Sequence, residues 1–171
     1  MEENTFDMIV IGAGPGGYVT AIRGAQLGLK VAIIEREHMG GICLNWGCIP
    51  TKAMLRSSEV YHLLKNSKKY GVSVDNVSYD LDAVVARSRE IGSKLSNGIT
   101  YLLKKNNIIS FLGSAYLVGN SEVEVTVKTE KVKLFSENIV LATGARAREI
   151  KGFEVDEEQI WTYKNALTPK R

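Results

Sequence analysis

A glycine-rich turn between two apolar runs restricts the fold of this chain more than any other segment. Residues 8–11 (MIVI) form a continuous apolar run, typical of a strand buried on both faces of a parallel sheet. The turn GAGPGG, Gly12 to Gly17, follows it, and helical spacing of small and apolar residues predicts a helix from Pro15 to Leu27, closed by Gly28. A second apolar run ends at Glu35. Strand, turn, helix and strand within about 30 residues predict a βαβ unit with a right-handed crossover.

The turn matches the pattern G-x-G-x-x-G, and each glycine has a predicted role. Gly12 permits the tight turn, Gly14 lets the backbone approach a pyrophosphate, and Gly17 permits close packing of helix on strand. Alone, the pattern fits equally well a turn that binds nothing. An acidic residue about 20 residues on favours dinucleotide binding, with Glu35 accepting hydrogen bonds from ribose hydroxyls and disfavouring the 2′-phosphate of NADP. The alternative for Glu35 is a solvated charge at a strand end.

The remaining patterns predict further α/β structure. Apolar spacing predicts helices over residues 53–67 and 81–105, and the region rich in Val, Ile and aromatics predicts short strands, the last one buried, over 138–142. We therefore expect an α/β, Rossmann-like fold with a parallel sheet, flanking helices and a small antiparallel β-meander. A boundary after residue 150 would separate a nucleotide-binding domain, 1–150, from a tail, 151–171.

Composition excludes several classes of protein. A chain of 171 residues with 44% hydrophobic and 24% charged content is in the range of one globular domain. The net charge of +3 is spread without a long block of one sign, so nucleic acid and anionic membranes are not favoured as partners. We expect a cytoplasmic protein, because the sequence starts without a secretory signal pattern and no apolar run approaches the roughly 20 residues of a membrane span.

Both cysteines lie in the segment GGICLNWGCIPTK, as Cys43 and Cys48. A structural disulfide closing so short a loop would add only about 2 kcal/mol on the chain-entropy model, and structural disulfides are rare in the cytoplasm. A metal site could add His38 and His62 to the two thiolates, but these histidines lack the paired spacing of a zinc finger.

A redox couple explains more of this segment. Pro50 suits the first turn of a helix, which would place Cys48 near a helix N-terminus, where the dipole lowers the pKa of a thiol. Lys52, four residues after Cys48, would add positive charge on the same face. A thiol in that setting with a nearby partner indicates a dithiol–disulfide couple.

Taken together, these motifs resemble the flavoprotein disulfide reductases. The cysteine segment is similar to the active-site signature of that family, and is closer to the dihydrolipoamide dehydrogenase group than to glutathione or mercuric reductases. The glycine turn, Glu35 and the segment IVLATGARAREIKG from Ile139 match further blocks of the family in the same order. Three positions depart from the usual pattern: Ile42 replaces threonine, Trp46 a valine-like residue and Ala147 proline.

The resemblance implies that FAD is the bound dinucleotide, and from the spacing of the histidines we expect no metal site. It places the pyrophosphate at the glycine turn, the ribose at Glu35 and the adenine near the backbone of residues 113–115. Cys48 would face the flavin, Cys43 would exchange with the substrate disulfide, and Lys52 would lie beside the isoalloxazine. The implied cofactor-binding residues are Gly12, Gly14, Pro15, Gly16, Glu35, Arg36, Gly41, Lys52, Gly113, Ala115, Thr143 and Gly144, the last two closing over the flavin.

The resemblance also implies an activity: oxidation of protein-bound dihydrolipoamide, with NAD as final acceptor. The implied partners are the lipoyl domains of 2-oxoacid dehydrogenase complexes and, at full length, a second copy of the chain. The 171 residues contain no second G-x-G-x-x-G and no C-terminal histidine–glutamate segment. We therefore expect the FAD-binding portion of a longer enzyme, inactive by itself. Another flavin disulfide reductase and a non-catalytic nucleotide-binding module stay open as alternatives.

Overall fold

The computed structural model describes residues 4–169, which divide into two compact units. The first unit comprises the chain up to Cys43 together with Lys94–Ala145. The second comprises Leu44–Ser93 and the chain from Arg146 onwards. The predicted boundary after residue 150 stays a prediction.

The first unit contains a parallel and an antiparallel sheet. Its elements are β1 (Met8–Ile11), α1 (Pro15–Gln26), β2 (Val31–Glu35), β3 (Ile109–Leu112), β4 (Ser114–Leu117), β5 (Glu122–Val127), β6 (Glu130–Phe135) and β7 (Ile139–Leu141). Four strands pair in the order β3-β2-β1-β7, all parallel, and β4-β5-β6 form an antiparallel meander. This confirms the predicted α/β fold.

The core of the first unit lies between these two sheets. Parallel pairing sets Ile9 opposite both Ala32 and Ile139. The alternating apolar residues of the meander meet that face of the parallel sheet, as expected for strands with one buried side. The buried cluster consists of Phe6, Ile9, Ala32, Ile34, Val123, Val125 and Leu134.

The second unit is built from helices. Its elements are the 3-10 helix Ser67–Tyr70, α3 (Cys48–Lys65) and α5 (Tyr163–Ala166), together with parts of α2 (Gly41–Trp46) and α4 (Leu81–Lys105), which both cross the division between the units. None of the helices formed by residues 4–169 is both long enough and apolar enough to cross a lipid bilayer.

Most element predictions agree with the structure, and the exceptions have physical reasons. The helix α4 has the predicted bounds, and Gly28, at φ +93°, closes α1 as expected. The last strand was predicted as buried and is not: β7 lies at the sheet edge, and Leu141 is 62% exposed. The helix α3 runs over Cys48–Lys65 rather than over 53–67, and Pro50 lies in its first turn, as predicted, where the backbone needs no donor. The short helices α2 and α5 carry too few residues to show a helical period.

The core between the sheets should dominate the stability of the first unit. Leu134 in β6 is fully buried, whereas Leu117 in β4 is 52% exposed. We expect Leu134→Ala to lower the free energy of unfolding by about 2–5 kcal/mol, since it removes buried methyl groups and leaves a cavity. Leu117→Ala, the matched control, should change it by about 0.5 kcal/mol or less. Urea denaturation followed by circular dichroism measures both, and equal losses would contradict the placement of the core.

Candidate functional site

The carboxyl ends of the parallel strands converge at one edge of the sheet. Three residues that follow strands donate backbone hydrogen bonds there: Gly12 to Ile34 O at 2.7 Å, Gly113 to Glu35 O and Ala142 to Ile11 O, both at 2.8 Å. The neighbours of β1, which are β2 and β7, lie on its opposite sides. Such a topological switch point opens a crevice beyond the strand ends, where α/β sheets bind ligands.

Two glycines of the turn are required by the packing of the protein itself. Gly12 has φ +102°, and a Cβ there would overlap the carbonyl of Ala142 and lie 3.2 Å from Thr143 Cα. A Cβ on Gly17 would overlap the carbonyl oxygen of Gly12. Both predicted roles, the tight turn and the close packing of helix on strand, are therefore confirmed.

The glycines at positions 14 and 16 have no such packing reason. Gly14 lies in an extended conformation (φ −70°, ψ −178°) that any residue adopts, and its Cβ would meet only Gly41 Cα, at 4.0 Å. A Cβ on Gly16 would meet no atom within 4 Å. The protein thus leaves space on this side of the turn, as a backbone that approaches a pyrophosphate requires.

The N-terminus of α1 is suited to a negative charge. Pro15 occupies its first position, where the missing N–H costs no hydrogen bond, and the first turn carries no acidic side chain. The free N–H groups and the positive end of the helix dipole are therefore not neutralised by the α1 sequence. Together with the space beside Gly14 and Gly16, this geometry fits the diphosphate of FAD.

Glu35 connects the end of β2 to the turn. Its carboxylate accepts one hydrogen bond from the N–H of Ala13 and one from the N–H of Glu37, both at 2.8 Å. A carboxylate has about four lone-pair sites, so two backbone bonds leave capacity for a ribose hydroxyl. The bond to Ala13 joins residues 22 positions apart, and no local pattern could have revealed it.

The glycine turn also contacts the helix that carries the first cysteine. Gly41 begins α2 with φ +59°, and a Cβ there would lie 2.6 Å from Gly14 Cα, so the two backbones meet directly. Cys43 follows two residues later in the same helix. The first cysteine is therefore positioned by the turn itself.

The two cysteines form a disulfide. Cys43 is half-buried in α2 and Cys48 is exposed at the first position of α3, whose N-cap is Gly47. Lys52 is exposed one turn further along α3. Oxidised sulfurs are not the thiolates that a zinc site needs, and within residues 4–169 no three side chains of His, Cys, Asp or Glu are grouped to hold a metal.

Residues of α4 that the sequence analysis missed hold the segment between the cysteines. Arg89 donates a hydrogen bond from Nη2 to Asn45 O at 2.5 Å, and its Cζ lies 4.7 Å from the Trp46 ring centroid. A Cβ on Gly92 would lie 2.8 Å from the Leu44 carbonyl oxygen. The sequence signal that could have identified Arg89 is its position one helical turn after Val85, on the apolar face of α4.

The remaining predicted residues are more scattered. Arg36 forms an exposed ion pair with Glu37 at 3.5 Å, and Ala115 pairs with Val125 across the meander. Gly113 is required by packing, since a Cβ would overlap the carbonyl of Thr126. Thr143 and Gly144 follow β7 and are exposed. Their contacts with a cofactor stay predictions.

The chain is similar in sequence to curated dihydrolipoyl dehydrogenases. The chain is 52% identical over 166 residues to a dihydrolipoyl dehydrogenase of Zymomonas mobilis and 49% identical over 166 residues to one of Chlorobaculum tepidum, in each case over 96% of this chain and 35% of the relative. The chain thus spans about a third of the length of the curated relatives it matches.

Solved structures show the same fold. The HOCl-induced flavoprotein disulfide reductase RclA from Escherichia coli, solved as a Cu(II) complex, superposes with a TM-score of 0.74 at 26% identity, over 86% of this chain and 30% of that one. LpdA from Mycobacterium tuberculosis superposes with a TM-score of 0.84 at 22% identity, over 94% of this chain and 37% of its own, and supports the fold alone.

The family model described as "Pyridine nucleotide-disulphide oxidoreductase" matches residues 6–170. That match starts at the strand leading into the glycine turn and takes in the disulfide, the meander and β7. Because it covers nearly every residue and agrees with the observed fold, this chain belongs to the pyridine nucleotide-disulphide oxidoreductase family.

Proposed function

We propose that this chain is the FAD-binding, disulfide-bearing portion of a dihydrolipoyl dehydrogenase. The whole enzyme would oxidise dihydrolipoamide carried by lipoyl domains of 2-oxoacid dehydrogenase complexes and reduce NAD⁺, as a homodimer in the cytoplasm. One observation carries the proposal: α2 begins where Gly41 meets the glycine turn and contains Cys43 of the disulfide. A phosphate-binding turn and a thiol–disulfide couple joined by a six-residue helix are the two parts that this chemistry requires.

Each part of the cofactor has residues suited to it. The turn at Gly12, Gly14 and Gly16 would bind the diphosphate and Glu35 the adenosine ribose, while Lys52 would lie near the flavin ring. The space beside Gly14 and Gly16 and the uncompensated N-terminus of α1 support this assignment. FAD, when bound, supplies a two-electron acceptor between the protein dithiol and NAD⁺.

The exchange itself uses only sulfur atoms of substrate and protein. One thiolate of dihydrolipoamide attacks the Cys43 sulfur, which breaks the Cys43–Cys48 bond and releases Cys48 as a thiolate. The second substrate thiol then displaces Cys43, giving the lipoamide disulfide and a protein dithiol. Two electrons and one proton leave that dithiol for NAD⁺, and one proton is released, so that dithiol and NAD⁺ become disulfide, NADH and H⁺.

The position of Cys48 suits the leaving group in this exchange. It is the first residue of α3, where backbone N–H groups lack partners in the helix and the dipole is positive. Lys52 lies four residues on, at the spacing that brings side chains together on one face. A thiolate released at Cys48 would be stabilised by both, which supports the assignment of Cys48 as the flavin-facing thiol.

The relatives favour this function over the alternatives. The most similar relatives reported above are dihydrolipoyl dehydrogenases at 49% and 52% identity, whereas the flavoprotein disulfide reductase from Escherichia coli is 26% identical. A module that only binds a nucleotide would not need the Cys43–Cys48 disulfide, whose first cysteine lies in the helix that contacts the glycine turn.

The space beside Gly14 can be tested directly. Gly14→Val should leave the fold intact, because a Cβ there would meet only Gly41 Cα, at 4.0 Å, but should abolish binding of added FAD by occupying the position of the diphosphate. Gly98→Val is the matched control, since Gly98 in α4 also has open space around it but lies outside the predicted site. Flavin fluorescence titration of the purified chains measures binding. Unchanged FAD affinity in folded Gly14→Val would reject the assignment.

The two cysteines should differ in their interaction with the flavin. With FAD added, Cys43→Ser leaves a Cys48 thiolate and should give a long-wavelength charge-transfer absorption band. Cys48→Ser should give none, because Cys43 is assigned to the substrate side. Visible spectra recorded after reduction and removal of excess thiol compare the two variants. A band seen only in Cys48→Ser would reverse the two roles.

The isolated 171-residue polypeptide should not catalyse the full reaction. The sequence holds no second dinucleotide-binding turn, and its two histidines, His38 and His62, do not belong to the histidine–glutamate segment expected to supply the acid/base. We expect no NADH above a protein-free control when dihydrolipoamide, NAD⁺ and FAD are supplied. A full-length dihydrolipoyl dehydrogenase assayed in parallel is the positive control, and comparable turnover by this polypeptide would contradict the assignment of the missing roles.

A further inference from the structure

The segment between the cysteines, residues 44–47, is called the redox loop here. It contains the end of α2, a helix of only six residues whose last carbonyl groups have no partner within the helix. Arg89 supplies one such partner: its Nη2 donates to Asn45 O at 2.5 Å. A cationic donor makes this a charge-assisted hydrogen bond, roughly twice as strong as a neutral one.

The same guanidinium lies over the side chain of the next residue. Arg89 Cζ is 4.7 Å from the Trp46 ring centroid, within the range of a cation–π contact. Within the described residues, Trp46 Nε1 is buried without a hydrogen-bond partner. The cationic contacts of Trp46 are made by its ring, with Arg89 the nearer group and Lys164 Nζ at 5.4 Å from the centroid. Arg89 thus holds two consecutive residues of the redox loop, one by its carbonyl and one by its ring.

The backbone of α4 lies close to the backbone of the redox loop. Gly92 lies three residues after Arg89, and a Cβ there would come within 2.8 Å of Leu44 O. Three successive residues, Leu44 to Trp46, are therefore contacted from one face of α4. The same arrangement removes Arg89 from part of its solvent, and this burial lowers the pKa of its guanidinium. An arginine on a solvated helix surface would not have its pKa lowered in this way.

We propose that Arg89 is a positioning residue that, through Asn45 and Trp46, sets the equilibrium between the disulfide and dithiol forms of Cys43 and Cys48. The proposal rests on the proposed function in one respect, namely that this disulfide is exchanged during turnover. Closing a disulfide depends on the effective concentration of one thiol at the other, which a rigid loop raises. Releasing the redox loop lets the two thiols separate and therefore favours the dithiol.

The equilibrium can be measured against a small thiol. In a glutathione buffer, two glutathione thiols reduce the Cys43–Cys48 disulfide to a dithiol and form one glutathione disulfide, so electrons and protons balance. Mass spectrometry after alkylation gives the fraction of reduced chain at each buffer ratio. We expect Arg89→Met to shift the equilibrium toward the dithiol by roughly three- to tenfold, where tenfold is about 30 mV for this two-electron couple.

Two further variants separate positioning from other effects. Arg89→Lys keeps the charge but loses the planar group that stacks and bonds, so it should shift the equilibrium in the same direction. Arg87→Met is the matched control, because Arg87 also joins α4 to a helix carbonyl, Ala53 O at 2.9 Å, but outside the redox loop. It should leave the equilibrium unchanged. Circular dichroism checks that each variant is folded. If Arg89→Met does not fold, Trp46→Val tests the contact between Arg89 and Trp46 from the other side.

Each result has a defined meaning. Wild-type equilibrium in folded Arg89→Met, an equal shift in Arg87→Met, or wild-type behaviour of Arg89→Lys beside a shifted Arg89→Met would overturn the proposal. The last outcome would mean that charge alone acts. If the wild-type disulfide were not reduced at all in the folded chain, the proposed function itself would fail. If it exchanges normally and only the Arg89 variants show no effect, the proposed function stands and the positioning role falls.

Discussion

The direct contact of backbone with backbone at the glycine turn is the constraint on which the rest of the site depends. Gly17 lets α1 start against the carbonyl of Gly12, and Gly12 lets the turn lie against Ala142 after β7. Gly41 lets α2 start against Gly14. A side chain at Gly12, Gly17 or Gly41 would push apart elements whose spacing sets the crevice at the end of the sheet. The start of α1 against the turn and the placement of Cys43 in α2 both depend on contacts that only glycine permits.

A different element, the helix α4, contacts the segment between the two cysteines. The glycine turn positions Cys43 through the start of α2, while Cys48 belongs to the start of α3, where Pro50 needs no backbone donor. Between them, Arg89 and Gly92 of α4 contact the redox loop. Two cysteines five residues apart could adopt many geometries in a free peptide. The long helix α4 supplies the order that a six-residue helix cannot supply for itself.

Sequence patterns correctly predicted those elements whose period or capping residue lies within, or directly beside, the element itself. The apolar helical period of the 25-residue α4 and the glycine cap of α1 are of this kind, as are the roles of Gly12 and Gly17. The burial of β7 was predicted wrongly, because an apolar run does not say which strand ends at the edge of a sheet. The helices α2 and α5 were missed, because six and four residues are too few for a period to emerge.

The sequence by itself determined the α/β class, the glycine turn, the redox character of the cysteine pair and the family, since each can be recognised from motifs whose own residues lie close together in the chain. Only the tertiary structure decided that Glu35 bonds the N–H of Ala13, 22 residues away, and that Arg89 bonds Asn45 O, 44 residues away. The physical reason is the same in both cases. A charged side chain takes its role from the backbone groups that folding brings to it, and distant groups leave no periodic or compositional trace in the sequence.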